Sequence, residues 1–384
     1  LLNPFLYLIQ FNMKQLLLLL GMSMLAMAGC SGNETATEAG TTLDEKIGQM
    51  VMVGFKGLEV SDTSHVIRDI TEHHAGGVIL FDYDVPTSTP VRNIESPEQV
   101  QTLIDDLQGL SESGLFIAVD QEGGRVARLK EARGFDSTVS AEYLGSIDNV
   151  DSTRHYASEM ANQLQSLGFN VNFAPVVDVN TNPENPVIAQ LERSFGPTPE
   201  RVTKHARIFL EEFTAHNVLG VVKHFPGHGS AFNDSHVGLA DVTETWDDLE
   251  LDPYRQLIES DARFAVMTAH VFNENLDSEY PTTLSANVQT ELLRNELGFE
   301  GVLFSDDMQM DAIRAEFGLE TAVERAVLAG VDVLVFANNS VYQPDIVPTV
   351  TSIIREMVES GHISEERIDQ SYERIMSAKS LLLN

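Results

Sequence analysis

A single cysteine, Cys30, leaves no possibility of an intrachain disulfide framework. Basic residues are scarce: 24 Lys and Arg stand against 58 Asp and Glu, for a formal net charge of −34. Such an excess of negative charge repels nucleic acid and anionic membrane surfaces, so neither is expected as a partner. It reads instead as a solubility adaptation, including to salt. No apolar run is long enough to span a bilayer comfortably, including the one inside residues 13–30. Beyond residue 42 there is no low-complexity tract, and Gly and Pro are scattered rather than clustered. What is present is the composition of a soluble globular protein: 384 residues, 43% of them hydrophobic, with ample material for a core.

Residues 13–30, MKQLLLLLGMSMLAMAGC, set one Lys before an apolar run and small residues after it, the layout of an export signal. The run ends in Ala28-Gly29-Cys30 and resembles a bacterial lipoprotein signal, in which Cys30 is lipidated and becomes the mature N-terminus. Leu1 rather than Met opens the chain, so Met13 is taken as the start. Residues 1–29 are thereby read as a signal peptide with an upstream extension. Residues 30–42 are polar, without large apolar side chains, and read as a flexible lipidated tether. Residues 43–384 are expected to hold one domain.

Within that domain, short apolar runs alternate with amphipathic stretches. Eight candidate strands fall at 49–55, 77–81, 115–120, 171–177, 220–225, 264–270, 301–306 and 331–337. Candidate helices lie between them at 97–113, 150–167, 199–216, 249–260, 285–297 and 320–329, and the tail reads as two more at 345–360 and 364–383. Runs that are continuously apolar suit parallel strands covered on both faces. The expectation is a single α/β domain, a (β/α)8 TIM-like barrel with two C-terminal helices. A doubly wound open sheet is the alternative, because pattern alone does not show closure.

The stretch that organises the chain is 220–238, GVVKHFPGHGSAFNDSHVG, a buried run followed by a loop crowded with ionisable groups. Asp234 and His236 are two apart, so in extended backbone they share a side and the carboxylate can orient and charge the imidazole. Other polar residues also fall at candidate strand ends, where a parallel barrel builds its active face. Strand three ends in Asp120, followed by QEGG and Arg125; strand four leads to Asp178 and a loop containing Glu192 and Arg193. Strand five ends in Lys223-His224, strand six in His270 and strand seven in Asp306-Asp307. Singly, Asp178 and Asp307 could be helix caps; their convergence on one face is harder to explain that way. A metal site from His224, His228, Asp234 and His236 is the rival chemistry. The spacing fits no compact metal motif, and the Lys223 charge opposes a cation, so no metal is expected. Met267, Met308 and Met310 read as packing.

The segments KHFPGHG (223–229), DSH (234–236), VDQEGGRV (119–126), ERSFG (192–196) and FSDDM (304–308) together resemble the signature of glycoside hydrolase family 3 β-N-acetylhexosaminidases. They occur in the expected order across most of the chain after the tether. The resemblance implies a retaining exo-acting hydrolase that removes terminal β-linked N-acetylglucosamine through a glycosyl–enzyme intermediate, without cofactor. By similarity Asp306 is the nucleophile, His236 the general acid and base, and Asp234 the group that holds and charges His236. Asp120, Arg193, Lys223 and His224 would grip the sugar hydroxyls, with Arg125 a weaker candidate. Retaining hydrolysis usually uses two carboxylates; a His–Asp pair can replace one, because imidazole titrates near neutrality. For His270 and Asp178, support at a strand end is at least as good a reading as contact with substrate. The partners expected are a carbohydrate from peptidoglycan or chitin fragments and a bacterial membrane reached only through the lipid anchor, on the periplasmic or outer side. The protein is expected to act as a monomer. The alternatives are β-glucosidase or phosphorylase activity within the family, and a sugar-binding lipoprotein without catalysis.

Overall fold

The apolar runs become eight strands: β1 (Val51–Gly54), β2 (Gly77–Ile79), β3 (Phe116–Val119), β4 (Val171–Asn172), β5 (Leu219–Phe225), β6 (Ala265–Thr268), β7 (Leu303–Asp307) and β8 (Val333–Phe336). The computed structural model describes residues 40–234 and 238–382. All neighbouring strands pair in parallel, and β1 pairs with β8 through Val51↔Leu334 to Val53↔Phe336. That last ladder closes the sheet, so the architecture is a (β/α)8 barrel and not an open sheet. Val and Phe dominate the strands because both faces are covered, one by the barrel interior and one by helices. Inside, Phe304 packs against Phe116 and Phe173 at ring-centroid distances of 5.8 and 5.6 Å, so the barrel is filled rather than hollow.

Local chemistry explains where the elements stop. Asn149 accepts a hydrogen bond from the Ser152 amide and starts helix Val150–Leu167, which ends at Gly168 with φ 91°. Ser96 and Thr198 precede helices Pro97–Gln108 and Pro199–Ala215, each with Pro in the first turn. The expected fourth strand is cut to two paired residues. Pro175 has no N–H to give a ladder, so beyond Asn172 the contact with the flanking strands thins to single bonds at Phe173 and Ala174 and the bridge Val176↔Lys223. The expected helix at 249–260 is a 3₁₀ turn, Asp248–Leu251, running into helix Asp252–Ile258. The stretch near 285–297 is a π-helix, Asn287–Glu296. The two tail helices are Ile346–Glu359 and Glu365–Leu382.

The last helix seals the amino-terminal end of the barrel. Lys379 is buried there, donates to Gln49 Oε1 at 2.6 Å and the Gly114 carbonyl at 2.7 Å, and lies 5.1 Å from the centre of the Phe116 ring. Burial pushes its pKa down to about 7. Beside it, buried Asp332 holds Arg294 at 2.8 Å, Arg374 at 3.0 Å and the Ser371 hydroxyl at 2.7 Å. With the floor closed this way, the polar strand ends at the opposite, carboxyl-terminal face are left for chemistry. The compact unit begins at Thr41. The signal, Cys30 and nearly all of the tether lie outside the described residues.

Candidate active site

Strands β3, β4 and β5 deliver a buried network of alternating charge. Asp120 follows β3, and its Oδ1 accepts a hydrogen bond from Lys223 Nζ at 2.8 Å. Lys223, on β5, also meets Glu122 Oε1 at 2.8 Å. Glu122 in turn takes the guanidinium of Arg193 in a two-pronged pair, 2.7 Å from Nε and 2.8 Å from Nη2. Arg128 approaches Asp120 Oδ2 at 3.3 Å. The neighbouring half of the network centres on Asp178, whose Oδ2 lies 2.7 Å from His224 Nδ1. Asp178 Oδ1 accepts the amide hydrogens of His224 at 3.1 Å and His228 at 2.9 Å. Arg193 Nη2 lies 3.3 Å from His224 Nε2 and joins the two halves. The Lys223–His224 and Phe225–Pro226 peptide bonds are cis.

These partners decide the charge states. For Asp120, burial acts to raise the pKa, but Lys223 and then Arg128 outweigh it and hold the carboxyl below its ordinary range. Glu122 is held down in the same way, burial being overcome by Arg193 and Lys223. Burial of Asp178 is overcome mainly by His224. Arg193 is pushed upward, because Glu122 offsets its burial. His228 falls to about 4, driven by burial and by its neighbour His224, so it is neutral at pH 7. Three carboxylates thus face three fixed cations at the mouth of the barrel.

The other candidates divide by place. Asp306 is the penultimate residue of β7, is half-buried, and its Oδ1 accepts the Asp307 amide at 2.8 Å. Asp307 turns to the backbone instead: its Oδ1 accepts the amides of Gln309 and Ala337, each at 3.1 Å. His270 is buried between Thr283 Oγ1 at 2.8 Å and the Asp307 carbonyl at 3.0 Å, bracing the ends of β6 and β7. Arg125 is exposed and paired with Glu192 at 3.1 Å on the rim. Asp234 is half-buried in the loop after β5, whereas His236 lies outside the described residues. Among the described residues no three His, Cys, Asp or Glu side chains gather as metal ligands.

Two residues of this face carried no role in the sequence reading. Glu122 stands inside the QEGG segment, two residues beyond an apolar run that ends in Asp, which marks it as near the barrel mouth but not as a partner of Arg193 and Lys223. Glu250 is buried beneath the turn after β5, where Oε2 accepts the Gly229 amide at 2.9 Å. It sits in the acidic run 247–250, which reads as surface because three acids in four residues are usually solvated.

A closed parallel barrel with its ionised groups pooled at the carboxyl ends of β3, β4, β5 and β7 is the frame of a (β/α)8 enzyme. The profile of the glycosyl hydrolase family 3 N-terminal domain matches residues 42–378. The chain belongs to that family. It is 33% identical over 391 residues to β-hexosaminidase A of Pseudoalteromonas piscicida, a match covering 92% of this chain and 63% of the relative. It is 32% identical to β-hexosaminidase LpqI of Mycobacterium tuberculosis, covering 87% of this chain and 82% of the relative. Among solved structures it resembles a glycoside hydrolase family 3 β-N-acetylglucosaminidase from Paenibacillus sp., with TM-score 0.81 and 38% identity, covering 89% of this chain and 63% of that one. The chain thus spans less than two thirds of two of these three relatives.

Proposed function

We propose that the protein is an exo-acting retaining β-N-acetylhexosaminidase that releases terminal N-acetylglucosamine. The observation that carries this reading is the buried network of Asp120, Glu122, Lys223, Arg193, His224 and Asp178. Its carboxylates and cations point-match the vicinal hydroxyls of one sugar ring, each of which both donates and accepts. Asp120, Lys223, Arg193 and His224 bind that ring; Glu122 and Asp178 fix the cations and the imidazole in place. Asp306, from β7, attacks the anomeric carbon: the new carboxylate–carbon bond forms as the glycosidic C–O bond breaks. His236, oriented and charged by Asp234, gives its proton to the leaving oxygen and then takes one from the water that releases the sugar. His236 has its role from the DSH motif, as it lies outside the described residues.

The full reading adds an exported protein, lipidated at Cys30 and tethered by residues 30–42 to the outer face of a bacterial membrane, with the catalytic domain running from residue 43. Its substrates are β-linked N-acetylglucosamine termini of peptidoglycan or chitin fragments. Hydrolysis of aryl β-N-acetylglucosaminide should far exceed that of aryl β-glucoside and not require phosphate. Asp306→Ala should abolish turnover in a folded protein, and His236→Ala should harm poor leaving groups much more than activated aryl ones. Wild-type rates in Asp306→Ala, or equal losses on both substrate types in His236→Ala, would overturn the assignment of roles.

A further inference from the structure

Beneath the turn that follows β5 lies a second acid that the proposed reaction does not use. The turn from His224 to Ser230 is clamped between two carboxyl groups. On one side Asp178 accepts the amides of His224 and His228 and the ring nitrogen of His224. On the other side Glu250, 1% exposed, accepts the Gly229 amide through Oε2. The packing is close enough to dictate sequence. A Cβ on Gly227 would stand 2.6 Å from Glu250 Cβ, and one on Gly229 would stand 1.8 Å from the Val179 carbonyl oxygen. The second oxygen of Glu250, Oε1, and the Ser230 hydroxyl are both buried; neither makes a well-aligned hydrogen bond among the described residues, and the two groups lie close enough to interact.

That arrangement suits an acid better than an anion. A buried carboxylate needs cations or several donors. Gly229 and Ser230 supply only neutral donors, whose pull toward the anion burial outweighs. The titratable groups bearing on Glu250 and its turn are Asp178, the Tyr254 hydroxyl, His224 and His228, with Arg193 acting on His228. Asp178 disfavours a negative charge on Glu250, Tyr254 is itself held neutral by burial, and His228 is neutral at pH 7. A protonated carboxyl can accept from Gly229 with one oxygen and give its proton toward Ser230 Oγ with the other.

We propose that Glu250 is a positioning residue of this active site, an uncharged acid that seats the Gly227–Ser230 turn against Asp178 and thereby holds His224 in the sugar-binding network. Burial, with Asp178 adding to it, raises its pKa to about 8, so the seat is lost when the protein becomes alkaline. The folded-state pKa lies above the ordinary glutamate value of 4.5. Folded protein therefore holds this proton more tightly than unfolded chain. Stability contributed here is full in acid, falls as pH rises from about 4.5, and is gone above about 8.

The kinetic arm of the test rests on the hexosaminidase reading, and the unfolding arm does not. With aryl β-N-acetylglucosaminide, wild-type kcat should fall about tenfold per pH unit above pH 8. Glu250→Gln, which keeps one acceptor and one donor without a titrating proton, should retain activity at pH 6 within about fivefold and lose that alkaline limb. Glu250→Ala should lose roughly 10- to 100-fold in kcat at every pH, as expected when a positioning group is removed. Urea midpoints should decline between pH 5 and 8 in wild type more steeply than in Glu250→Gln, whatever the substrate proves to be. A Glu250→Gln protein as damaged as Glu250→Ala, or one whose urea midpoints track wild type through pH 8, would overturn the proposal.

Discussion

Replacing Glu122 by Gln tests whether the buried network is a designed unit. Glu122 carries two short hydrogen bonds from Arg193 and one contact with Lys223. The network's three cations, Lys223 and Arg193 on Glu122 and Arg128 on Asp120, are matched by Asp120, Glu122 and Asp178, so the substitution leaves one positive charge without a counterpart in a buried place. Breaking a buried pair from one side costs about 3–5 kcal/mol. Asp120 still neutralises Lys223, and Asp178 sits close to Arg193 through His224, so the lower end is appropriate: about 3 kcal/mol. The amide also aims an N–H at a guanidinium or ammonium, which turns Arg193 out of register with the sugar. A KM increase of roughly 10- to 100-fold follows from losing about 1.4–2.8 kcal/mol of oriented binding. Trp246 is the only tryptophan, and its indole donates to the Pro226 carbonyl at 3.2 Å, so its emission reports directly on the turn after β5. Urea titrations followed by Trp246 fluorescence at pH 7 and pH 4 give the stability difference. Because Arg193 and Lys223 lower the Glu122 pKa, its stabilisation is present above the ordinary carboxylate range and lost in acid. The gap between wild type and Glu122→Gln should therefore shrink toward pH 3. A variant within 0.5 kcal/mol of wild type (about the scatter of neutral surface changes) and with unchanged KM would refute the reasoning.

Two further outcomes follow from the same structure. Lys379→Met should stabilise the protein near pH 6, and the advantage should fade toward pH 10. Wild-type Lys379 drops from 10.5 to about 7 on folding, a difference on the order of 5 kcal/mol at 1.36 kcal/mol per pH unit, with stability rising as pH rises through that window. Equal urea midpoints for the two proteins at pH 6 would contradict it. Gly229→Ala should destabilise by several kcal/mol and shift Trp246 emission, since a Cβ there meets the Val179 carbonyl; wild-type fluorescence and melting would show that the turn yields easily.

The barrel was legible because each of its strands is a continuous apolar run, and burial on both faces leaves no other composition available. The motif acids and bases at the ends of β3, β5 and β7 were legible for a related reason, since ionisable groups beside such runs need a purpose. What the sequence hid depends on pairings over long separations. Nothing local marks Glu122 as the partner of Arg193 and Lys223, which are 71 and about 100 positions away. Glu250 and Lys379 were hidden by their neighbours, being single buried ionisable groups in stretches where most polar residues face water. The fourth strand was overcalled because 171–177 has the right apolar content while Pro175 lacks the N–H to pair.

The seam that makes the sheet a cylinder runs between Val51 and Leu334, and Lys379 pins the far end of the fold onto Gln49. A growing chain cannot complete either junction until most of its length exists. Both junctions join residues separated by most of the domain, the long-range kind of contact that forms slowly. A barrel whose seam and floor both depend on the helix Glu365–Leu382 and on β8 makes its earliest strands answer to its latest ones.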